Sequence, residues 1–377
     1  MNQTRATIHP IDYILERLCI NLQISDSLYG SAEESYKAVG NWLAEKSDLA
    51  ANKPAIYPQV SLKIGTTIKP IGNEEYDLDM ICEFGNVNSM INPKELLNAV
   101  YQTIKSNSNY SDIAELKKRC VRINYKRQFH LDIVPAMPNT NDTGTCIFIP
   151  DKQENGGVGV WIPTNPKGYA NWFEERCKIP RDILNKAAKL EHLPENEPFY
   201  DKPPLKRVVQ LLKRWRNNVY KDIIEQAPVS IVLTTLAAEH YKNEINLSDA
   251  MTTILNSINE RNKNGYYEVN NPTTSSPMEL LSEKWKKNPE CFNHFVIAFG
   301  SLTRMWNELK NDRGTVLENR LTLMFGNTDG LVKKAYMDYN NTITEMRKSE
   351  SLSMSKSGIL STLGGGVKVR PNTFHGD

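Results

Sequence analysis

One short acidic segment constrains this chain more than any other part of its sequence. Residues 76–83 read Tyr-Asp-Leu-Asp-Met-Ile-Cys-Glu, so the segment begins with apolar and acidic side chains in alternation. Because successive side chains of a β-strand point to opposite faces, this pattern predicts a strand over residues 76–84 with its first apolar side chains buried. Asp77 and Asp79 would then share the other face, with α-carbons about 6.6 Å apart.

A pair of carboxylates on one face of an apolar strand repels, and a divalent cation offsets that repulsion. All-oxygen ligation suits Mg²⁺ or Mn²⁺ and does not suit zinc. A second predicted strand, residues 129–134, carries Asp132 as its one acidic residue. If the two strands are neighbours, three carboxylates converge, and such a set can hold two metal ions about 3.5–4 Å apart for phosphoryl transfer. The alternative is an exposed acidic sheet edge.

Residues 59–67, just before the acidic strand, contain small hydroxyl residues and a glycine. Such a loop lets backbone N–H groups and the Ser61 hydroxyl approach phosphates. It is not a Walker loop, because Gly-Lys-Ser/Thr is missing. The alternative is a plain strand with turn residues: the pattern of 60–68 predicts a strand, and the prolines of 50–58 predict a link.

The remaining chain divides into an α/β half and an all-helical half. Apolar spacing predicts a helix at 11–22, a capping box at 31–34 predicts the start of a second helix, and 135–168 reads as loops around one or two short strands. Further elements are predicted at 93–105 (helix), 121–125 (strand), and 205–220, 228–242, 248–261, 277–288, 291–310 and 316–346 (helices).

Composition limits the function classes. With 40% hydrophobic and 24% charged residues the chain can form sizeable cores, and a net charge of +2 does not indicate a nucleic-acid or membrane partner. The longest apolar stretch, 227–238, is too short to span a bilayer, and no apolar leader follows Met1. Six cysteines without a Cys-x-x-Cys pair indicate reduced thiols in a cytoplasmic protein. The Cys291/His294 spacing lacks a second pair and reads as an ordinary helix.

Several segments together resemble the CD-NTases, the cyclic GMP-AMP synthase/DncV-like nucleotidyltransferases of the polymerase-β-like superfamily. Ser61, the Gly-Thr at 65–66, the Tyr-Asp-Leu-Asp at 76–79 and the Leu-Asp-Ile-Val-Pro at 131–135 carry the resemblance. Further matching segments are 161–169, 171–173, 205–215 and 227–233. The resemblance covers most of residues 1–345, and the combination in this order is specific although each segment alone is not.

The resemblance implies a bilobal nucleotidyltransferase fold of the α/β (α+β) class. Residues 1–200 would form the catalytic lobe, with a mixed sheet and N-terminal strap helices. Residues 201–348 would form a helical lobe that closes the nucleotide cleft, and 349–377 a flexible or docked tail. It also implies Mg²⁺-dependent synthesis of a cyclic di- or trinucleotide from NTPs, ATP among them, in bacterial anti-phage defence. Accessory defence proteins are then candidate partners, whereas nucleic acid and membrane are not.

Site residues follow from the resemblance position by position. Asp77, Asp79 and Asp132 match the metal-binding catalytic triad. Nucleotide binding is implied for Gln59, Ser61, Asp77, Asp79, Lys213 and Ser230.

The sequence departs from the family pattern at Val60, where the family has glycine. If that glycine provides a positive φ or a close phosphate approach, valine would impair catalysis.

Two alternatives to a cyclic-nucleotide synthase stay open. One is a linear nucleotidyltransferase acting on RNA or protein, which needs a basic groove; only the six cations within 117–127 suggest one, and they also fit a solvated strand face. The other is a nucleotide-binding regulatory protein disabled at Val60. A further set of cations can either hold triphosphates or form a solvated helix face: Lys202, Lys206, Arg207, Arg214 and Arg216.

Overall fold

The computed structural model describes residues 7–8, 10–46, 54–71, 75–85, 91–125, 129–141, 144–152, 157–178, 202–275, 277–309, 311–349, 353–354, 360–361 and 367–369. The chain forms two compact units, each discontinuous in sequence. One, called the sheet unit below, comprises residues 24–175 and 267–286. The other, called the helical unit, comprises residues 1–23, 176–266 and 287–377.

The described residues form twelve α-helices and eleven strands. The helices are α1 (Pro10–Asn21), α2 (Asp26–Lys46), α3 (Val60–Lys63), α4 (Pro93–Lys105), α5 (Pro166–Cys177), α6 (Pro204–Val219), α7 (Ser230–His240), α8 (Leu247–Lys263), α9 (Glu283–Lys287), α10 (Pro289–Leu309), α11 (Gly314–Phe325) and α12 (Leu331–Lys348). The strands are β1 (Thr7–Ile8), β2 (Ala55–Pro58), β3 (Tyr76–Glu83), β4 (Ala114–Leu116), β5 (Val121–Tyr125), β6 (Phe129–Pro138), β7 (Ile147–Asp151), β8 (Val160–Thr164), β9 (Ser353–Met354), β10 (Leu360–Ser361) and β11 (Val367–Lys368).

A mixed sheet organises the sheet unit. Five strands lie in the order β2-β3-β6-β5-β4, while β7 pairs with the end of β6 and with β8. Strands β3 and β6 are parallel, and the other pairs are antiparallel. The strands predicted at 76–84 and 129–134 are therefore real and adjacent, which confirms the condition on which the three carboxylates depend.

Helices α2 and α4 cover the apolar face of this sheet. Alternate residues of β3, β5 and β6 join apolar side chains of both helices in one buried core. The bounds of α4 are those predicted, because its N-terminus is specified locally: Asn92 accepts from the backbone N–H of Glu95, whose side chain accepts from that of Asn92. Pro93 begins the helix, where no backbone N–H is needed.

Helix α5 starts inside a segment predicted as loop, and its sequence explains its start. The Asn165 side chain accepts from the backbone N–H of Gly168 (2.9 Å) and donates to the backbone carbonyl of Thr273 (2.9 Å). A β-carbon at Gly168 would lie 2.3 Å from Asn165 Nδ2. The glycine is therefore needed for the cap to close over the first turn.

Several sequence predictions of secondary structure are wrong. Residues 60–68 are not a strand: α3 occupies the first four, and the strand lies earlier, at β2, within the predicted link. Tyr57 and its neighbours can pair there because β2 is an edge strand, where proline is tolerated. Ser31 does not cap a helix, since α2 already begins at Asp26.

Two predicted helices are also shorter or divided. Only α9 forms within 277–288, since Asn270 and Leu280 make an antiparallel bridge before it. The helix predicted over 316–346 is two helices, because Gly326 (φ 72°) ends α11 and Gly330 (φ 70°) precedes α12, both with a positive φ that interrupts a helix and that glycine adopts readily.

The helical unit is assembled around buried helix faces. The predicted apolar stripe of α1 is buried, and Asp12 ties this helix to α8 by accepting from the backbone N–H (2.8 Å) and hydroxyl (2.9 Å) of Ser248. Residues 232–238 of α7 are buried on every side, which explains why no amphipathic period marks it. Near the C-terminus, β9, β10 and β11 form a small sheet with β1.

The predicted lobes 1–200 and 201–348 and the predicted tail stay predictions. The compact units differ from them in that residues 1–23 belong to the helical unit and 267–286 to the sheet unit. Among the described helices, none combines the length and the apolar character that crossing a membrane requires.

Candidate active site

Polar side chains occupy the sheet face opposite to helices α2 and α4, in two rows across three strands. In one row Asp79 of β3 is the register partner of Asp132 of β6. In the neighbouring row Asp77 is the register partner of His130. Asp77, Asp79 and Asp132 therefore share one face on adjacent strands, as the alternation predicts.

Arg122 of β5 completes the first row, because it is the register partner of Asp132 on the other side of β6. Its Nε donates to Asp132 Oδ1 (2.7 Å) and its Nη2 to Asp132 Oδ2 (2.8 Å), a bidentate pair. Nη2 also lies 3.8 Å from Asp77 Oδ1. The hydrogen bond with Asp132 raises the pKa of the guanidinium, so Arg122 stays charged.

Sequence reasoning missed Arg122, which it placed among the cations of a basic strand face. The spacing between the two predicted strands could have revealed the position of Arg122. Only three residues, 126–128, separate β5 from β6, and such a tight connection sets a register that pairs residue 125 with 129 and therefore 122 with 132. Counting along the predicted hairpin would have placed the arginine beside the aspartate.

Cys120 and His130 border the carboxylates. Burial, together with the nearby Asp132 carboxylate, raises the pKa of the Cys120 thiol, so the thiol remains protonated. His130 Nδ1 lies 3.0 Å from Glu75 Oε2, within ion-pairing distance when the imidazole is protonated. Cys120 and His130 therefore lie at the border of a site that contains three aspartates and Arg122.

One backbone hydrogen bond joins the start of residues 59–66 to the acidic strand, and another closes the segment on itself. The N–H of Gln59 donates to the carbonyl of Asp79 (3.0 Å), and the N–H of Thr66 donates to the carbonyl of Ser61 (3.1 Å). Ser61 therefore lies in a helical turn that starts next to Asp79. The nucleotide-binding roles of Gln59 and Ser61 stay predictions.

Val60 has an ordinary backbone. It is the first residue of α3, and among the described residues the one non-glycine with positive φ is Asn243. A positive φ at this position is therefore not the reason for a glycine in the family pattern, and valine is not strained here. Of the two reasons for which valine was predicted to impair catalysis, a positive φ no longer applies, and a steric effect on the approach of the phosphate is left.

Lys213 and Ser230 belong to the helical unit, whereas the three aspartates belong to the sheet unit. Lys213 lies on α6 and is buried, so it is not a solvated helix position. Ser230 is the first residue of α7, and its carbonyl accepts from the Thr234 hydroxyl (3.0 Å). Their contact with the triphosphate stays a prediction.

Other cations proposed for phosphate binding make ion pairs within the protein. Arg214 is almost fully buried and pairs with Asp329. Arg207 lies 3.5 Å from Glu16.

The cations of the 117–127 run, in the sheet unit, also contact acids. Lys118 and Arg119 both contact Asp151, Lys117 contacts Glu115, and Arg122 contacts Asp132. Lys126 and Arg127 lie outside the described residues. The described part of the 117–127 run is therefore neutralised by acids, which disfavours a nucleic-acid groove.

The donor set fits a divalent cation in part. Asp77 and Asp79 offer carboxylate oxygens on one face, and Asp77 is 65% exposed, so a hydrated Mg²⁺ or Mn²⁺ can reach it. Asp132 is 13% exposed and both its oxygens accept from Arg122. In the part of the chain that the structure describes, no three His, Cys, Asp or Glu side chains lie close enough to share one metal ion.

Comparison with known proteins identifies the family to which the chain belongs. The family model of the Second Messenger Oligonucleotide or Dinucleotide Synthetase domain matches residues 11–177. A c-di-GMP synthase from Roseivirga ehrenbergii is 32% identical over 371 residues, which covers 96% of both chains. The chain belongs to the CD-NTase family. It is a nucleotidyltransferase of the type that makes cyclic oligonucleotides, which confirms the predicted enzyme class.

Solved structures show the fold of this CD-NTase. CdnG from Bradyrhizobium diazoefficiens in complex with GTP has a TM-score of 0.72 at 22% identity, covering 88% of this chain and 99% of CdnG. Escherichia coli DncV in its 3′-deoxy GTP bound form has a TM-score of 0.56 at 18% identity, covering 86% and 88%. The predicted bilobal nucleotidyltransferase fold is thereby confirmed.

Proposed function

We propose that this CD-NTase joins NTPs into a cyclic dinucleotide, with GTP as a substrate, by phosphoryl transfer at Asp77, Asp79 and Asp132. The observation that carries the proposal is the register pair Asp79–Asp132 with Asp77 one pleat away on the same face. The 32% identity to a c-di-GMP synthase over 96% of the chain supports guanine as a base, and the 25% identical cyclic dinucleotide synthase CdnG supports a dinucleotide product. ATP as a substrate stays a prediction.

Asp77 and Asp79 would hold Mg²⁺ or Mn²⁺, which supplies charge neutralisation on the transferring phosphate. The segment that begins at Gln59 would bring the Ser61 hydroxyl and its backbone N–H groups to the donor phosphates. Lys213 and Ser230 are assigned to the triphosphate by their match to the family.

The proposed reaction consists of two phosphoryl transfers of the same kind. An acceptor ribose hydroxyl near Asp132 attacks the α-phosphorus of the donor, a phosphodiester forms, and pyrophosphate leaves. A second attack of the same kind closes the ring. Positioning and charge neutralisation provide most of the acceleration, so no covalent enzyme intermediate is needed.

The product assay tests this proposal. The full chain is incubated with the four NTPs, one α-³²P-labelled at a time, with Mg²⁺ or Mn²⁺, and phosphatase-treated products are resolved by mass spectrometry. We expect a phosphatase-resistant cyclic product that contains label from GTP. Asp77→Asn and Asp79→Asn should each lower its rate at least about 100-fold, the scale of losing a preorganised charge partner.

Glu33→Gln provides a matched control, because Glu33 is an exposed acid of α2, the helix that covers the opposite face of the same sheet. It should change the rate less than about two-fold, as surface substitutions do. Product formation that survives both aspartate substitutions would refute the assignment of the site. A cyclic product without GTP label would refute the choice of base alone.

We also propose that the product is a second messenger of anti-phage defence in the cytoplasm. The six cysteines, none of which forms a disulfide, support the cytoplasmic location. Phage challenge of cells that produce the chain or its Asp77→Asn variant tests this role. Equal plaque numbers in both would count against it.

A further inference from the structure

The guanidinium of Arg122 takes a position in the carboxylate cluster that the predicted triad does not account for. Asp77, Asp79 and Asp132 bring three negative charges to one sheet face. Arg122 contributes a positive charge among them, with two hydrogen bonds to Asp132 and a third contact, 3.8 Å from Nη2 to Asp77 Oδ1. One nitrogen is therefore within ion-pairing distance of carboxylates on two different strands.

This placement is built into the sheet. Arg122 and Asp132 are register partners in the β5/β6 ladder, so their side chains leave the same face directly opposite each other. The pair is largely shielded, with Arg122 26% exposed and Asp132 13% exposed. A planar guanidinium matches a carboxylate with two parallel hydrogen bonds, which fixes the orientation of Asp132.

A cation that bridges Asp77 and Asp132 would need the space where Nη2 lies. Asp132 meets the arginine through both of its oxygens, and it does not join Asp77 and Asp79 in a group able to share a metal among the described residues. Asp77, by contrast, keeps most of its surface exposed. Asp77 is therefore accessible to a metal ion, whereas Asp132 is already paired with the guanidinium of Arg122.

We infer that Arg122 is a displaceable counter-cation, which neutralises Asp132 until a divalent ion bridging Asp77 and Asp132 takes its place. The inference rests on the proposed function, because it concerns the metal site of that reaction. A first cation would bind at Asp77 and Asp79 without disturbing Arg122. A second would have to release the guanidinium from Asp132, which then becomes free to contact a phosphate oxygen of the bound nucleotide.

The opposite role makes the opposite prediction. If Arg122 only orients Asp132 as an outer partner of a metal ligand, its removal weakens metal binding, because such partners hold ligands in place. If Arg122 competes with the metal, its removal strengthens binding, because the cation no longer has to break an ion pair. The sign of the change in metal affinity therefore distinguishes the two roles.

Metal binding to the nucleotide-free full chain is the measurement. Free Mn²⁺ is followed by its electron paramagnetic resonance signal during titration of the wild type, Arg122→Gln and Arg122→Lys. We expect Arg122→Gln to lower the Kd of the weaker Mn²⁺ site about ten-fold, the equivalent of one partly shielded ion pair. Arg122→Lys keeps the charge but loses the bidentate geometry, and its Kd should lie between the two. An unchanged or raised Kd in Arg122→Gln would overturn the inference.

A second measurement on the wild type covers the case in which Arg122→Gln folds poorly. The ¹⁵Nε–H resonance of Arg122, identified by its absence in Arg122→Lys, should be protected from solvent exchange without metal. Saturating Mg²⁺ should abolish that protection, and persistence of the protected signal would contradict displacement. Circular dichroism of each variant checks its fold.

Failure of this inference and failure of the proposed function are distinguishable. Asp77→Asn/Asp79→Asn should remove the tighter Mn²⁺ site, which locates the signal. If that site is present in the wild type and Arg122→Gln does not strengthen the weaker one, the displacement is refuted while the proposed reaction stands. If the double variant still makes cyclic product, the site assignment itself fails.

Discussion

Arg214 supplies the sharpest test of the distinction between a phosphate-binding cation and a structural one. Its Nε donates to the carbonyl of Phe325 at the end of α11 (2.6 Å), and its Nη1 and Nη2 donate to the two oxygens of Asp329 (3.1 and 2.8 Å). The side chain is 1% exposed and that of Asp329 16%. The perturbation is Arg214→Met, which preserves most of the apolar volume and removes all three donors.

The expected loss follows from what the substitution leaves behind. Asp329 would keep a mostly buried carboxylate without its cation, and Phe325 a carbonyl without a donor. Removing one partner of a buried ion pair costs about 3–5 kcal/mol of unfolding free energy, a large part of the about 5–15 kcal/mol that holds a domain folded. For a unit of this size the melting temperature should fall by about 6–20 °C.

Arg216→Met is the matched control, two residues further along the same helix. Arg216 donates to the carbonyl of Pro228 (3.1 Å) and to Asn217 Oδ1 (2.9 Å), both neutral acceptors. Its loss should cost about 1 kcal/mol. Thermal unfolding by circular dichroism measures both variants, and pyrophosphate release well below the melting temperature gives the KM for NTP.

We expect the KM of Arg214→Met to stay within about two-fold of the wild type, because Nε, Nη1 and Nη2 of Arg214 already donate to Phe325 and Asp329. The reasoning would be refuted by an unchanged melting temperature together with a KM raised about ten-fold, the loss of one ligand ion pair. That result would mean that Arg214 binds the triphosphate, as its position on a basic helix first suggested.

Two further predictions concern a turn and a helix start. Val60→Gly should leave turnover within about two-fold, since Val60 already has a helical backbone, and should cost about 0.5–1 kcal/mol of stability. A gain in turnover beyond ten-fold in the product assay would instead show that the valine side chain itself obstructs catalysis. Gly168→Ala should cost about 1–2 kcal/mol, because its β-carbon would displace Asn165 from the cap of α5. A melting temperature equal to the wild type's would show that the cap tolerates the methyl group.

Local patterns predicted the parts of the site that depend on one strand or helix at a time. Asp77 and Asp79 alternate with apolar residues, and this two-residue period alone placed both on one face. Helix α4 was predicted with the right bounds because its capping residues are adjacent in sequence. The segment at 60–68 was mistaken for a strand because its β-branched residues favour strands, whereas α3 takes the first four residues and its start is joined to β3 by one backbone hydrogen bond, from Gln59 to Asp79.

The sequence by itself therefore determined which residues carry charge and which face of a strand each one takes, since both follow from side-chain chemistry and backbone period. The tertiary structure decided which charges meet. Arg122 and Asp132 are ten residues apart, and only strand pairing makes them bidentate partners. Arg214 and Asp329 are separated by 115 residues, and burial made one ion pair of two residues that look solvated in the sequence. Whether a charge binds a ligand or another side chain depends on distance and dielectric environment, and the folded chain alone sets both.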